Sequence, residues 1–160
     1  MTQRNRRANI VNLDFFVSFQ RASKYPELPS RSVMLRWIRR AAEHEGGVAV
    51  RFVDDEEGRM LNAQFRHKDY ATNVLTFDYS HDPVEADIVI CVPVLHREAA
   101  EQEKTFREHL AHLLIHGVLH AQGWDHLTDE EAEAMEAKER EILASLGFAD
   151  PYSTPAQAHD

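Results

Sequence analysis

Residues 116–126 read HGVLHAQGWDH, three histidines spaced by four and then by six, with a glycine between the second and the third. A helix advances about 100° and ~1.5 Å per residue, so His116 and His120 stand about 40° and ~6 Å apart on one helical face. Two imidazoles so placed can share one metal ion. On an uninterrupted helix His126 would point roughly 120° away from His120. Gly123 removes that difficulty, because glycine adopts a left-handed conformation at low cost, ends a helix and turns the chain back. Three neutral ligands leave a coordination position open, which is the pattern of catalytic rather than structural zinc. A metal held by imidazoles alone keeps its full charge, acidifies a bound water and attracts an anionic substrate.

The spacing leaves other readings open. The chain has ten histidines, and His109 and His112 lie on the same stripe as His116. His112 and His116 form an i, i+4 pair of their own, so His112 reads as a group behind the ligands or as one facing substrate. Asp125 is either a carboxylate that orients a ligand or an exposed turn residue. Gly117 stands where many zinc hydrolases carry a glutamate general base, so a water-activating side chain is missing there.

The elements that must position these groups follow from patterning. Branched and aromatic residues over 9–20 and 72–79, alternation over 47–54 and an apolar run over 86–92 predict four strands. Ser30 caps a helix over 31–44 that closes at Gly46 and Gly47, and acids in the first turn mark a helix over 55–66. A polar loop around 80–85 separates the last two strands. From Pro93 onward the chain reads as helical. The stretch 105–123 is apolar on nearly every side, as expected of a buried central helix. Thr128 caps a last helix stopped by Gly147, and residues 150–160 read as a frayed tail. Strands in the first half and helices in the second imply an α+β layer structure.

Composition limits the function. With 160 residues, 43% hydrophobic and 28% charged, the chain is of ordinary globular make-up and sized for one domain. Cys91 is the only cysteine, so no internal disulfide forms, and its apolar surroundings make it a small core residue. No apolar run is long enough to span a bilayer, and the basic N-terminal run 3–9 lacks the features of a signal peptide, so a cytoplasmic location is expected. The net charge of −9 argues against general nucleic-acid coating. It leaves room for a local basic groove, because the acids concentrate near the C-terminus.

The motif at 116–126 resembles the H-G-x-L-H-x-x-G-[YW]-D-H signature of the YbeY family. Residues 61–77, LNAQFRHKDYATNVLTF, and 86–90, ADIVI, are similar to two further blocks of that family. Met135 and Glu139 in the acidic helix, and the LGFADPY ending, also look familial. The similarity covers roughly residues 48–152. One departure is Ala86, where the family usually has glycine. The resemblance implies a bacterial single-strand-specific endoribonuclease acting in 16S rRNA maturation and ribosome quality control. Its partners would be rRNA precursors and the ribosome or small-subunit factors. It implies one zinc, or another divalent transition metal, on His116, His120 and His126, and a functionally important Arg66. The expected architecture is α+β, a small four-stranded mixed sheet packed with about five helices, the central buried helix carrying the metal ligands.

The residues themselves give Arg66 two readings. Its guanidinium can grip a phosphate bidentately, or it can make a surface ion pair at a solvated helix end. Lys68 would add charge beside it, with Arg36, Arg39 or Arg40 as further cations of the groove. Thr72 and Asn73 either bond substrate or shape the turn into the next strand. Two other functions compete. One is a metzincin-like protease, which the same histidine spacing allows and Gly117 argues against. The other is a non-enzymatic ribosome-associated factor with a structural zinc, which the open coordination position argues against.

Overall fold

A computed structural model describes residues 14–68 and 70–153. Among these the order is β1 (Phe15–Gln20), a short 3-10 turn (Ala22–Lys24), α1 (Arg31–Ala41), β2 (Gly46–Val53), α2 (Asp55–Arg66), β3 (Val74–His81), β4 (Val84–Cys91), α3 (Val92–Glu101), α4 (Phe106–Ala121) and α5 (Asp129–Ser145). The sheet order is β1-β2-β4-β3, with β1, β2 and β4 parallel and β3 antiparallel to β4. The α+β expectation of a four-stranded mixed sheet with five helices is met.

Alternation along the strands splits the sheet into two unequal faces. Val48, Val50 and Phe52 of β2 and Ala86, Ile88 and Ile90 of β4 enter the main core with α1, α4 and α5. The opposite face buries a smaller cluster of Val53, Leu75, Val89, Cys91 and Val94, with Leu61 of α2 packed against it. Cys91 is buried there, and burial pushes its thiol up to about 11, the condition of an inert core residue.

Helix α4 runs through the main core with ten of its sixteen residues buried. A capping box starts it: the Thr105 hydroxyl accepts from the Glu108 amide, and the Glu108 carboxylate accepts from the Thr105 amide. Gly117 lies against β4, where a Cβ would stand only 3.0 Å from a methyl of Ile88. The missing side chain therefore lets the helix approach the sheet, and a base at this position would collide with β4 instead of reaching a substrate.

Some boundaries differ from expectation. The loop expected around 80–85 shrinks to a turn at Asp82-Pro83, because pairing of His81 with Val84 extends both strands. Helix α1 ends at Ala41, and Gly46 and Gly47 open β2 instead of closing the helix. The early part of the first expected strand, and the basic run before it, lie outside the described residues. Residues 150–153 of the expected tail make specific contacts: Asp150 accepts from Arg140 at 3.1 Å and the Pro151 carbonyl accepts from Lys104 at 2.7 Å. Residues 154–160 lie outside the described residues. No helix among the described residues is long and apolar enough to cross a membrane.

Candidate metal centre and its cavity

The end of α4 is a Schellman turn. Gly123 has φ +103, its amide donates to the His120 carbonyl at 3.0 Å, and the Trp124 amide donates to the Leu119 carbonyl at 3.1 Å. Gln122 fixes this turn to α1: its amide nitrogen donates to the Ala41 carbonyl, and its oxygen accepts from the Glu43 amide at 2.6 Å. The reversal brings His126 back beside the helix. Ring centroids are 6.4 Å apart for His116 and His120, 5.6 Å for His116 and His126, and 6.0 Å for His120 and His126.

What holds each ring also selects its free nitrogen. Nδ1 of His116 donates to Oε2 of Glu139 at 2.6 Å, and Nδ1 of His120 donates to the Trp124 carbonyl at 3.0 Å. Both rings therefore keep the Nε2 lone pair for another partner. Nδ1 of His126 lies 3.5 Å from Oδ1 of Asp125, which also accepts from the His126 amide at 2.8 Å. Donor atoms of His120, Asp125 and His126 all lie within 4.8 Å of one another.

Two donor sets thus share His120 and His126, completed by His116 or by Asp125. Tetrahedral coordination through Nε2 at ~2.0–2.1 Å puts imidazole centroids about 5 Å apart, so the three-histidine triangle fits a single ion after small side-chain shifts. His116 has the better claim to the third place. Its Nδ1 is held by a carboxylate, whereas the Asp125 oxygen is already engaged with His126.

Glu139 is fully buried on α5 and joins several groups. It accepts from His116, from Nε2 of His112 at 3.0 Å and from the Tyr152 hydroxyl. Burial pushes its carboxyl up, but these donors outweigh that and hold it at about 2, so it is a fixed anion. His112 accordingly faces Glu139 and Tyr152, and the histidines lining the cavity are His116, His120 and His126. His109, a further turn back, is bonded to Glu98 at 2.8 Å.

The cavity in front of the three rings has a volume of about 500 Å³. Arg66, Lys68, Thr72, Asn73 and Thr76 line it together with the histidines. Among the described residues its lining includes two cations, Arg66 and Lys68, and no carboxylate. Arg66, the last residue of α2, is aimed by a 2.9 Å hydrogen bond to the Thr76 carbonyl and lies 5.7 Å from the Phe77 ring centre. Asn73 lines the cavity, and its side chain is committed to structure: Oδ1 accepts from the Val74 amide at 2.6 Å and Nδ2 donates to Glu98 at 3.1 Å. Arg36, Arg39 and Arg40, expected as further cations, sit on α1 and are not part of this lining; Arg40 donates to Ser145 instead.

Sequence reasoning gave no role to Glu139, although a signal existed. Met135, Glu139, Ile142 and Leu143 are the buried residues of α5, spaced at helical period. An acid on an apolar stripe asks for a buried cationic or donor partner. The Trp124 carbonyl and Tyr152 carry no such signal.

The fold and site together define an α+β domain that turns a three-histidine cluster and two cations toward one open cavity. The family model described as Endoribonuclease YbeY matches residues 17–147, and the chain belongs to that family. It is 57% identical over 140 residues to the Endoribonuclease YbeY of Delftia acidovorans, covering 86% of this chain and 92% of that one. It is 55% identical over 145 residues to that of Acidovorax sp. (strain JS42), covering 89% and 95%. The solution structure of TM1509 from Thermotoga maritima is similar at a TM-score of 0.53 and 26% identity, covering 88% of this chain and 99% of that one.

Proposed function

We propose that the protein is a metal-dependent endoribonuclease that cleaves single-stranded RNA, with zinc held by His116, His120 and His126. We place it in the cytoplasm, acting on 16S rRNA precursors beside small-subunit factors, in rRNA maturation and ribosome quality control. The cellular role rests on the family. The chemistry rests on one observation, the three histidines facing a cavity whose lining has two cations and no carboxylate among the described residues.

That charge distribution suits a phosphodiester. When bound, zinc supplies Lewis-acid stabilisation of charge on a phosphoryl oxygen. The chain's own residues do the positioning. One Arg66 N–H is spent on the Thr76 carbonyl, which leaves other donors of the planar fork for phosphate oxygens. Lys68 adds a point charge. Among the described residues the lining offers no carboxylate to act as base, so on this reading electrostatic stabilisation carries most of the work. The same feature disfavours peptide hydrolysis, where a base must activate water and then protonate the amine. Gly117, packed on Ile88, offers no room for one.

The test incubates metal-loaded protein with single-stranded RNA, the matching duplex and casein. Single-stranded RNA should be cut, the other two spared, and a chelator should stop the cutting. Casein hydrolysis, or cleavage indifferent to chelation, would overturn the reading.

Glu139→Gln probes the support behind the metal. Glutamine presents an amide NH2 to one of the two histidines that now donate to a carboxylate, so His116 loses its fixed orientation. Metal affinity should fall about 10–100-fold, as for other outer-shell partners of histidine ligands. Competition with a chromophoric chelator measures it, and unchanged affinity would show that Glu139 serves the fold alone.

A further inference from the structure

We propose that the smaller, open face of the sheet is a nucleobase pocket, which takes one unpaired base next to the phosphate in the histidine cavity. It rests on the RNA reading above. The pocket, about 220 Å³, is lined by Ala49, Arg51, Phe65, Phe77, Tyr79 and Asp87 among others. Its floor follows from register. Ala49 pairs with Asp87 and Asp87 with Phe77, so these side chains share one face of three neighbouring strands. The small side chain of Ala49 leaves a depression between larger neighbours.

Its walls are aromatic. Phe65 of α2 meets Phe77 edge to face at 5.3 Å, and Phe65 and Tyr79 remain 53% and 63% exposed. Exposed aromatic rings on a sheet are the usual means of stacking unpaired bases. The polar groups of the lining are Gln20, the Arg51 guanidinium, which is ion-paired with Glu57 at 2.9 Å, and the Asp87 carboxylate, which accepts from the Tyr79 hydroxyl at 2.9 Å. Such a floor repels a phosphate no less than it attracts one, but offers donors and acceptors to a base edge. The histidine cavity, with its two cations, has the opposite preference.

The two pockets flank β3, whose successive side chains Thr76 and Phe77 point to opposite faces of the sheet. β3 is an edge strand, so nothing in the sheet blocks a chain crossing it. Thr76 lines one pocket and its neighbour Phe77 the other. Arg66 lines the histidine cavity and lies 5.7 Å from the centre of the Phe77 ring, which lines the other. A strand draped over this edge places its backbone at Arg66 and a flanking base against Phe65 and Tyr79. A duplex cannot do so, because its bases already stack on one another. The pocket therefore supplies a physical origin for single-strand preference.

The experiment measures binding of short single-stranded RNA, chemically protected against cleavage, to the metal-loaded protein by fluorescence anisotropy. Phe65→Ala/Tyr79→Ala should weaken Kd about tenfold, the scale of one lost base–aromatic stack. Tyr79→Phe, which keeps the ring, should bind nearly as wild type. Removing one base at a time from the RNA should reveal a position whose loss weakens wild-type binding by a similar factor and weakens the double variant no further. The proposal is overturned if the double variant binds as tightly as wild type, or if no position gives that pattern. It is equally overturned if RNA binding is intact while a protein partner is lost. Whether the wild type cleaves unprotected RNA is scored separately and decides the nuclease reading, so the two can fail independently.

Discussion

His120→Ala is expected to leave a folded protein that retains almost no metal and cleaves no RNA above background. The ring sits in the last turn of α4, with Nδ1 fixed on the Trp124 carbonyl and Nε2 left for a ligand. On the proposed three-histidine assignment, replacing it removes one of three imidazole donors outright, so the loss should exceed the roughly 10–100-fold cost of disturbing an outer-shell partner. The fold should persist, because the main core around α1, α4 and the sheet is assembled from apolar residues and does not include His120. Far-UV circular dichroism and elemental analysis on the same preparation check both halves. His112→Ala is the informative control. It lies on the same stripe of α4 but faces Glu139 and Tyr152, so metal retention should fall far less. A His120→Ala protein that kept one metal per chain at wild-type affinity would remove the three-histidine assignment. Collapse of the wild-type fold on chelation would instead favour a structural zinc.

The contrast between His112 and His120 also shows where sequence ceases to inform. Spacing treats 112/116 and 116/120 as equivalent pairs. They are separated by a carboxylate 27 residues away from His112, which only tertiary packing brings into range. Local signals were more legible. Asp54 accepts from the Glu57 amide, and acids fill the first turn of α2, so its start was readable from the chain alone. Gly123 was legible for a similar reason, since a positive φ is needed to reverse the chain after His120. The hairpin at Asp82-Pro83 was not, because the extra strand residues exist only through pairing with one another. Arg36, Arg39 and Arg40 were misplaced because a cluster of cations along the chain says nothing of which cavity its helix will face.

Arg66→Ala should cut single-turnover cleavage by about 10²-fold or more while metal content stays at the wild-type level. The magnitude is that of losing one preorganised donor to developing charge. The structural cost should be small. Arg66 is exposed, and among the described residues it makes one hydrogen bond to the Thr76 carbonyl and lies near the Phe77 ring. A single hydrogen bond of this kind is worth about 1 kcal/mol of stability, whereas a 10²-fold rate loss is about 2.7 kcal/mol of transition-state stabilisation. Stability and rate therefore separate if the guanidinium works on the phosphate, and move together if it only ties α2 to β3. Lysine at this position should restore part of the rate, because it returns the charge without the planar fork. An ammonium's three donors are also not held in the fixed plane that lets a guanidinium keep the Thr76 carbonyl and grip a phosphate bidentately. Thermal unfolding and single-turnover cleavage, measured on wild type, alanine and lysine proteins, decide between the two roles. Full activity in Arg66→Ala would leave the histidine cluster without its phosphate partner, and the cavity would then need a different substrate.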